Sequence, residues 1–258
     1  MSKALAKTDT FGALLAQNFK NIKNILPSII NPQRMARLAL VAVQRNPKLA
    51  ACTPESLIGC VLQSAQLGLE VANGLGHAYL VPFRVKGTPT CTLIIGYQGM
   101  LELAHRSGYV AHIYAHTVDK ADDFDVSLGT DKYLKHRPAR KPSGEMTYVY
   151  AAVTYLNGTK DFVYLSKEDV DKVKARSRAK NDGPWVTDYE DMAKKTAVRR
   201  LFKMMPKSAE IARAVAVDEH AENNLDQTQV YDVEVQEVMS TVPSPDVLAA
   251  SEAEFGGE

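Results

Sequence analysis

No apolar run in the 258 residues approaches the roughly 18 that a membrane-spanning helix needs. The opening residues, MSKALAKTDT, lack the apolar stretch of a secretory signal, so a cytoplasmic protein is expected. Cysteine is scarce: Cys52, Cys60 and Cys91 form no CxxC pair and sit in apolar runs. That pattern suits reduced core thiols better than metal ligands. Asn73-Gly74-Leu75-Gly76-His77 is glycine-rich but is not followed by the GK[ST] of a phosphate-binding loop, and no other stretch offers one. ATP-driven strand exchange is therefore not expected, and no cofactor is. Ser107 and Ser166 stand in no nucleophile elbow. His112 and His116 share a strand face, yet no Cys or carboxylate follows at ligand spacing, so a polar sheet face is the simpler account. Asp119, Asp122, Asp123 and Asp125 crowd one turn, whereas a two-metal nuclease needs carboxylates gathered from separate segments.

What the sequence does hold is a hidden charge asymmetry. The net charge is only +1, but residues 218–258 carry eleven acids and no Lys or Arg. Residues 1–217 then carry 31 bases against 19 acids, a net +12. A basic body joined to an acidic tail points to a polyanionic partner. The tail has few aromatics and two prolines, Pro243 and Pro245, and is expected to be disordered from residue 218. Such a tail would compete with nucleic acid for the basic body.

Residues 11–26 place Phe11, Leu14, Leu15, Ile22, Ile25 and Leu26 on one helical stripe, ended by Pro27. The stripe can dock within the chain or on a neighbouring subunit. A helix is expected over 32–45, and another from the Thr53 cap and Pro54 to Gly68. Residues 77–83 and 90–97 read as strands, 98–108 as a short helix, and 109–118 as an alternating strand. That strand puts Tyr109, Ala111, Ile113 and Ala115 on one face and His112, Tyr114 and His116 on the other. Residues 119–145 read as a polar loop. Residues 146–156 and 159–165 form a hairpin about Asn157-Gly158. Ser166 opens a helix, Thr187 and Glu190 suggest a capping box for the next, and 208–216 closes the body. Helices, then strands, then helices argue for an α+β fold with an antiparallel sheet backed by helices.

The helix over 188–204 carries the sharpest binding signal. Lys195, Arg199 and Lys203 stack one turn apart, about 6 Å, a spacing suited to phosphates along one strand. The same bases also complement the helix dipole, so both readings stand. Arg200 projects into the middle of the apolar face of Tyr189, Met192, Ala193, Thr196, Ala197, Leu201 and Met204, where it needs an anionic partner. Upstream, Lys174, Arg176 and Arg178 belong to a run of bases free of acids that leads to Trp185. Cations beside an aromatic fit single-strand binding, although Trp185 alone reads better as a hydrophobic anchor between the two helices than as a stacking platform. Arg137, Arg140 and Lys141 form a further basic cluster, a phosphate contact or a solvated loop.

Several long runs carry a resemblance: Gln66-Leu67-Gly68-Leu69-Glu70, LGHAYLVPF (75–83), LIIGYQGMLELAHRSG (93–108), HRP (136–138) and GPWVTDYEDMAKKTAVRRLFK (183–203). In their order they resemble the RecT family of phage and prophage single-strand annealing proteins, over roughly residues 30–217. Val71 departs from the pattern, since many relatives have proline there. The resemblance implies ATP-independent annealing of complementary DNA strands by a homo-oligomer, ring or helical filament, rather than an enzyme. It implies a Rad52-like annealing core, and as partners single-stranded and annealed duplex DNA, a phage exonuclease and the host single-strand binding protein. Tyr97, Arg106 and Lys194 lie within its motifs and join the candidate DNA contacts. The expected organisation is an N-terminal helix over 1–30, a DNA-binding core over 31–217 and the tail over 218–258. A protective single-strand coat without annealing activity is the alternative, and a metal-dependent nuclease a third.

Overall fold

The computed structural model describes residues 11–230, apart from Ile29, Asn73, Lys86, Arg178, Ala179, Asp182, Gly183, Lys207 and Asn224, together with Gln236 and Met239. The chain divides into two units, Met1–Gly99 with Ala212–Glu258, and Met100–Ile211. Among the described residues no helix is long and apolar enough to cross a membrane.

The first unit is organised around one buried helix. Residues 11–17 are helical, followed by α1 (Phe19–Ile25), α2 (Pro32–Arg45), α3 (Pro47–Ala50) and α4 (Pro54–Leu67). Thr53 caps α4 by accepting from the Ser56 N–H, and Pro54 occupies the first turn, where no amide partner is required. Gly68 ends it at φ +60°, a left-handed conformation that glycine adopts without strain. Every residue from Leu57 to Leu67 is buried, so α4 is core on all sides. Phe11, Leu14, Leu15 and Ile22 are buried within the chain, with α1 against α2 and α4. The N-terminal stripe thus docks on its own chain. Cys52, Cys60 and Cys91 are buried and form no disulfide with one another.

A two-stranded antiparallel ribbon, β1 (Ala78–Val85) and β2 (Thr88–Ile95), completes this unit with the helix α9 (Ala209–Glu222) and a 3₁₀ turn, Gln227–Val230. The Gln227 side chain joins the β2 backbone: its Oε1 accepts from Leu93 N at 2.8 Å, and its Nε2 donates to Leu93 O at 2.8 Å and Val217 O at 3.0 Å. The amide satisfies a backbone pair as a neighbouring strand would. The boundary expected at residue 218 is therefore corrected. The last helix runs to Glu222, Asp218 is buried, and ordered structure reaches Val230. Residues 241–258 lie outside the described residues.

The second unit is a three-stranded antiparallel sheet ordered β3 (Val110–Asp119), β6 (Met146–Tyr155), β7 (Lys160–Ser166). Asn157-Gly158 turns β6 into β7, with Gly158 at φ +82°. Helices α6 (Lys167–Arg176), α7 (Pro184–Thr187) and α8 (Tyr189–Met204) follow. Ser166 caps α6 by accepting from Asp169 N. α8 packs on all three strands. Pairing puts Ile113, Ala115 and Thr117 opposite Val153, Ala151 and Val149. The Thr117 hydroxyl donates to Glu190 on α8, which identifies this as the helix-covered face.

Three expectations are corrected here. A bulge between Val110 and His112 shifts the register, so Val110 is buried while Tyr109 and Ala111 are exposed. The polar loop 119–145 contains a second ribbon, β4 (Asp123–Ser127) with β5 (Tyr133–Arg137). Its charged residues alternate with half-buried Phe124, Val126, Leu134 and His136, a pattern too short and polar to stand out in sequence. The capping box does not form. Thr187 donates to Asp188, and Glu190 is engaged by Thr117.

Candidate nucleic-acid interface

Among the loops of the second unit, the one carrying Arg137, Arg140 and Lys141 is held in place by two carboxylates. Asp119 accepts from Ala121 N (2.8 Å), Ser143 N (2.9 Å), Ser143 Oγ (2.8 Å) and Gly144 N (2.7 Å). Asp122 accepts from Ala139 N (2.8 Å) and Asp119 N (2.8 Å), and lies 2.9 Å from His136 Nε2. The other His136 nitrogen is 3.3 Å from the Tyr150 hydroxyl. Burial pushes the Tyr150 phenol up to about 12, so the Asp–His–Tyr chain positions rather than activates. On this scaffold Arg137, Arg140 and Lys141 are exposed, with no ion-pair partner among the described residues.

Both carboxylates titrate below the usual aspartate range. For Asp119 the chief cause is the bond from Ala121 N, and for Asp122 the bond from Ala139 N, followed by His136. Depressed folded values mean that this stabilisation is present above the unfolded aspartate value, near 3.9, and is lost as pH falls through the folded values. Protection of the 137–145 amides against hydrogen exchange, relative to the intrinsic rate at each pH, is expected to fall below about pH 4 in advance of global unfolding. Asp122→Asn should lower that protection already at neutral pH and weaken its dependence on pH. Unchanged protection in the variant would remove Asp122 as the anchor.

The α6–α8 region presents cations in a more tempered form. Lys167 pairs with Asp171 (2.9 Å), Lys172 with Asp169 (3.0 Å) and Lys194 with Asp191 (3.2 Å), all within single helices. Such exposed pairs contribute little to stability and reduce the charge offered to a phosphate. Lys174 lies over the Tyr189 ring at 5.3 Å, while the Tyr189 hydroxyl donates to Asp171 at 2.6 Å. Arg176 is exposed near the end of α6. Arg178 lies outside the described residues.

On α8 the stripe is uneven: Lys195 and Arg199 are half-buried and Lys203 is exposed. Arg200 is exposed too, which corrects its expected place inside the apolar face. The buried stripe drifts around the helix, from Ala193, Thr196 and Ala197 to Val198, Leu201 and Phe202, leaving Arg200 and Met204 outside. Trp185 is 4% exposed and packs edge-on against Tyr189 at 6.1 Å. It is a hydrophobic anchor and leaves the contact set. Arg106 is half-buried near the end of helix α5 (Tyr97–Arg106); in the first unit Tyr97 is likewise half-buried.

Sequence reasoning passed over the aromatic residues of the sheet. His112, Tyr114, His116, Tyr148, Tyr150 and Tyr164 lie on the face opposite α8, joined by ring contacts of 5.2–6.2 Å. Phe124, from β4, stacks on Tyr148 at 5.4 Å and Tyr150 at 6.0 Å. Partial desolvation, then the nearby His136 and Lys194, lower the His116 ring from its ordinary value. The alternation of rings on β3 and β6 is present in the sequence, but their convergence depends on strand register.

Residues 33–232 match the family model described as the RecT family. The chain is 43% identical over 198 residues to Protein RecT of Escherichia coli (strain K12), covering 75% of this chain and 74% of that protein. It is 27% identical over 192 residues to the uncharacterized protein YqaK of Bacillus subtilis (strain 168), covering 74% of this chain and 65% of that protein.

Proposed function

The chain belongs to the RecT family, and from that premise we propose that it binds single-stranded DNA and anneals it to its complement without nucleotide hydrolysis. The observation that carries this is the family match over residues 33–232. The exposed cations of the second unit support it: Arg137, Arg140, Lys141, Arg176, Arg200 and Lys203 offer a polyanion its contacts. Lys195 and Arg199, half-buried on α8, and Lys194, Lys174 and Arg106 stand as further contacts. The protein acts as a cytoplasmic homo-oligomer and binds and pairs strands rather than performing catalysis. Its partners are a phage exonuclease that generates the single strands and the host single-strand binding protein.

Mixing labelled complementary strands with purified protein tests this directly. Duplex formation without ATP is expected, with rings or filaments visible by electron microscopy in the same samples. With six phosphates neutralised per site, the log–log salt slope should be roughly −4, at about −0.7 per contact. A requirement for hydrolysable ATP, or a flat salt response, would overturn the reading. Binding without duplex formation would instead favour a protective coat.

A further inference from the structure

We propose that the face of the β3-β6-β7 sheet opposite α8 is a base-stacking platform for single-stranded DNA, the nucleobases rather than the phosphates being its ligand. The proposal rests on the single-strand reading above and assigns it a surface separate from the basic loop and helices.

Register defines the surface. Cross-strand pairing sets His112 beside Thr154 and Lys160, then Tyr114 beside Ala152 and Phe162, then His116 beside Tyr150 and Tyr164. The larger aliphatic residues of these rows go to the other face, under α8, while this one keeps mainly rings, all but Phe162 bearing polar atoms that tolerate water. Of these rings His112 and His116 are exposed and Tyr114, Phe162 and Tyr164 half-buried, while Tyr150 is buried with Phe124 stacked against it, so the open surface is the first two rows with His116 and Tyr164. Along β3 three successive rings have centroids 5.2 and 5.5 Å apart, tilted by 33° and 53°. A rod of rings with this repeat offers one π surface after another to an extended strand.

The middle row contains the site for an inserted base. Strands lie about 4.8 Å apart, so β3 and β7 are separated by roughly 9.6 Å, and only the small Ala152 fills the gap between Tyr114 and Phe162. A base laid over Ala152 would have an aromatic side chain on each side. Charge complements it. Lys160 is the charged residue in these three rows, no carboxylate shares them, and Lys132 Nζ stands 6.0 Å over the Phe162 ring while pairing with Asp161. Cations at the rim and rings on the floor are what a strand needs to lay its bases inward and its phosphates outward.

The test separates bases from backbone. Binding of the full-length protein is measured to oligo-dT and to an abasic deoxyribose-phosphate strand of equal length. Wild-type protein is expected to prefer oligo-dT by more than about tenfold, since each stacked base contributes on that scale. Tyr114→Ala and Tyr164→Ala should each reduce oligo-dT affinity about tenfold and leave abasic affinity unchanged. Tyr114→Phe should retain the preference, because the ring and not the hydroxyl is used. Equal wild-type affinity for both strands overturns the platform while leaving single-strand binding intact. Binding to neither strand overturns the function itself, and this proposal with it. Dispersal of oligomers by Tyr114→Ala with base preference intact would mark the face as a subunit contact and overturn the platform. Should the alanine variants fail to fold, photo-cross-linking of wild-type protein to 5-iododeoxyuridine strands decides. Adducts on Tyr114, Tyr164 or Phe162 support the platform, and adducts confined to the helices overturn it.

Discussion

Reversing Arg137, Arg140 and Lys141 to glutamate is expected to weaken single-strand binding about a hundredfold at 0.1 M salt and to flatten the log–log salt slope by about 2. Each lost phosphate contact on a single strand removes about 0.7 from the slope, and three contacts at a tenfold dilution from 1 M compound to two powers of ten. The melting temperature should hold, because the three side chains are exposed and make no ion pair among the described residues. The loop itself is anchored through Asp119 and Asp122, which the substitutions leave untouched. Affinity measured at several salt concentrations, beside a thermal melt, reads both quantities. An unchanged slope would remove this loop from the contact surface and shift attention to Arg176, Arg200 and Lys203.

Removing residues 218–258 is expected to unfold the first unit, whereas removing 241–258 should leave its stability unchanged. The longer deletion takes away the end of α9, the buried Asp218 and the Gln227 amide. Without Gln227, Leu93 keeps a buried N–H and a buried carbonyl with no partner, at about 1–3 kcal/mol per group. Gln227→Ala isolates that contribution, with an expected loss of roughly 2–4 kcal/mol in denaturant titrations. The shorter deletion also tests competition between tail and DNA with the fold intact. Four acids leave with residues 241–258, so affinity for single strands should rise modestly at low salt and converge with wild type as salt screens the tail. If the chain lacking 218–258 melts like the full protein, Gln227 is a surface ornament and the corrected boundary is wrong.

Local signals carried much of the architecture. Thr53-Pro54 and Gly68 bracket α4, Asn157-Gly158 makes a hairpin, and Ser166 caps α6, because each acts through backbone groups two to four residues away. The family was legible for a related reason: its motifs are contiguous runs, so no fold was needed to read them, and the match over 33–232 agrees with their span. The basic body was equally a matter of composition.

Where sequence reasoning failed, a distant residue had the decisive vote. Thr187 and Glu190 have capping-box spacing, but Thr117 on β3 takes the glutamate. Arg200 lies within the helical apolar arc, yet the sheet beneath α8 makes the buried stripe drift and frees it. Trp185 sits among cations in sequence and in the core in space. By itself, then, the sequence determined the family, the caps and turns, the antiparallel α+β order and the sign of the charge. The tertiary structure alone decided which cations face solvent, that Gln227 supplies a strand's missing partner, and that rings from β3, β6 and β7 converge on one face. Helical angle and local turns follow from neighbours along the chain, but exposure and convergence depend on register and packing between segments up to 164 residues apart.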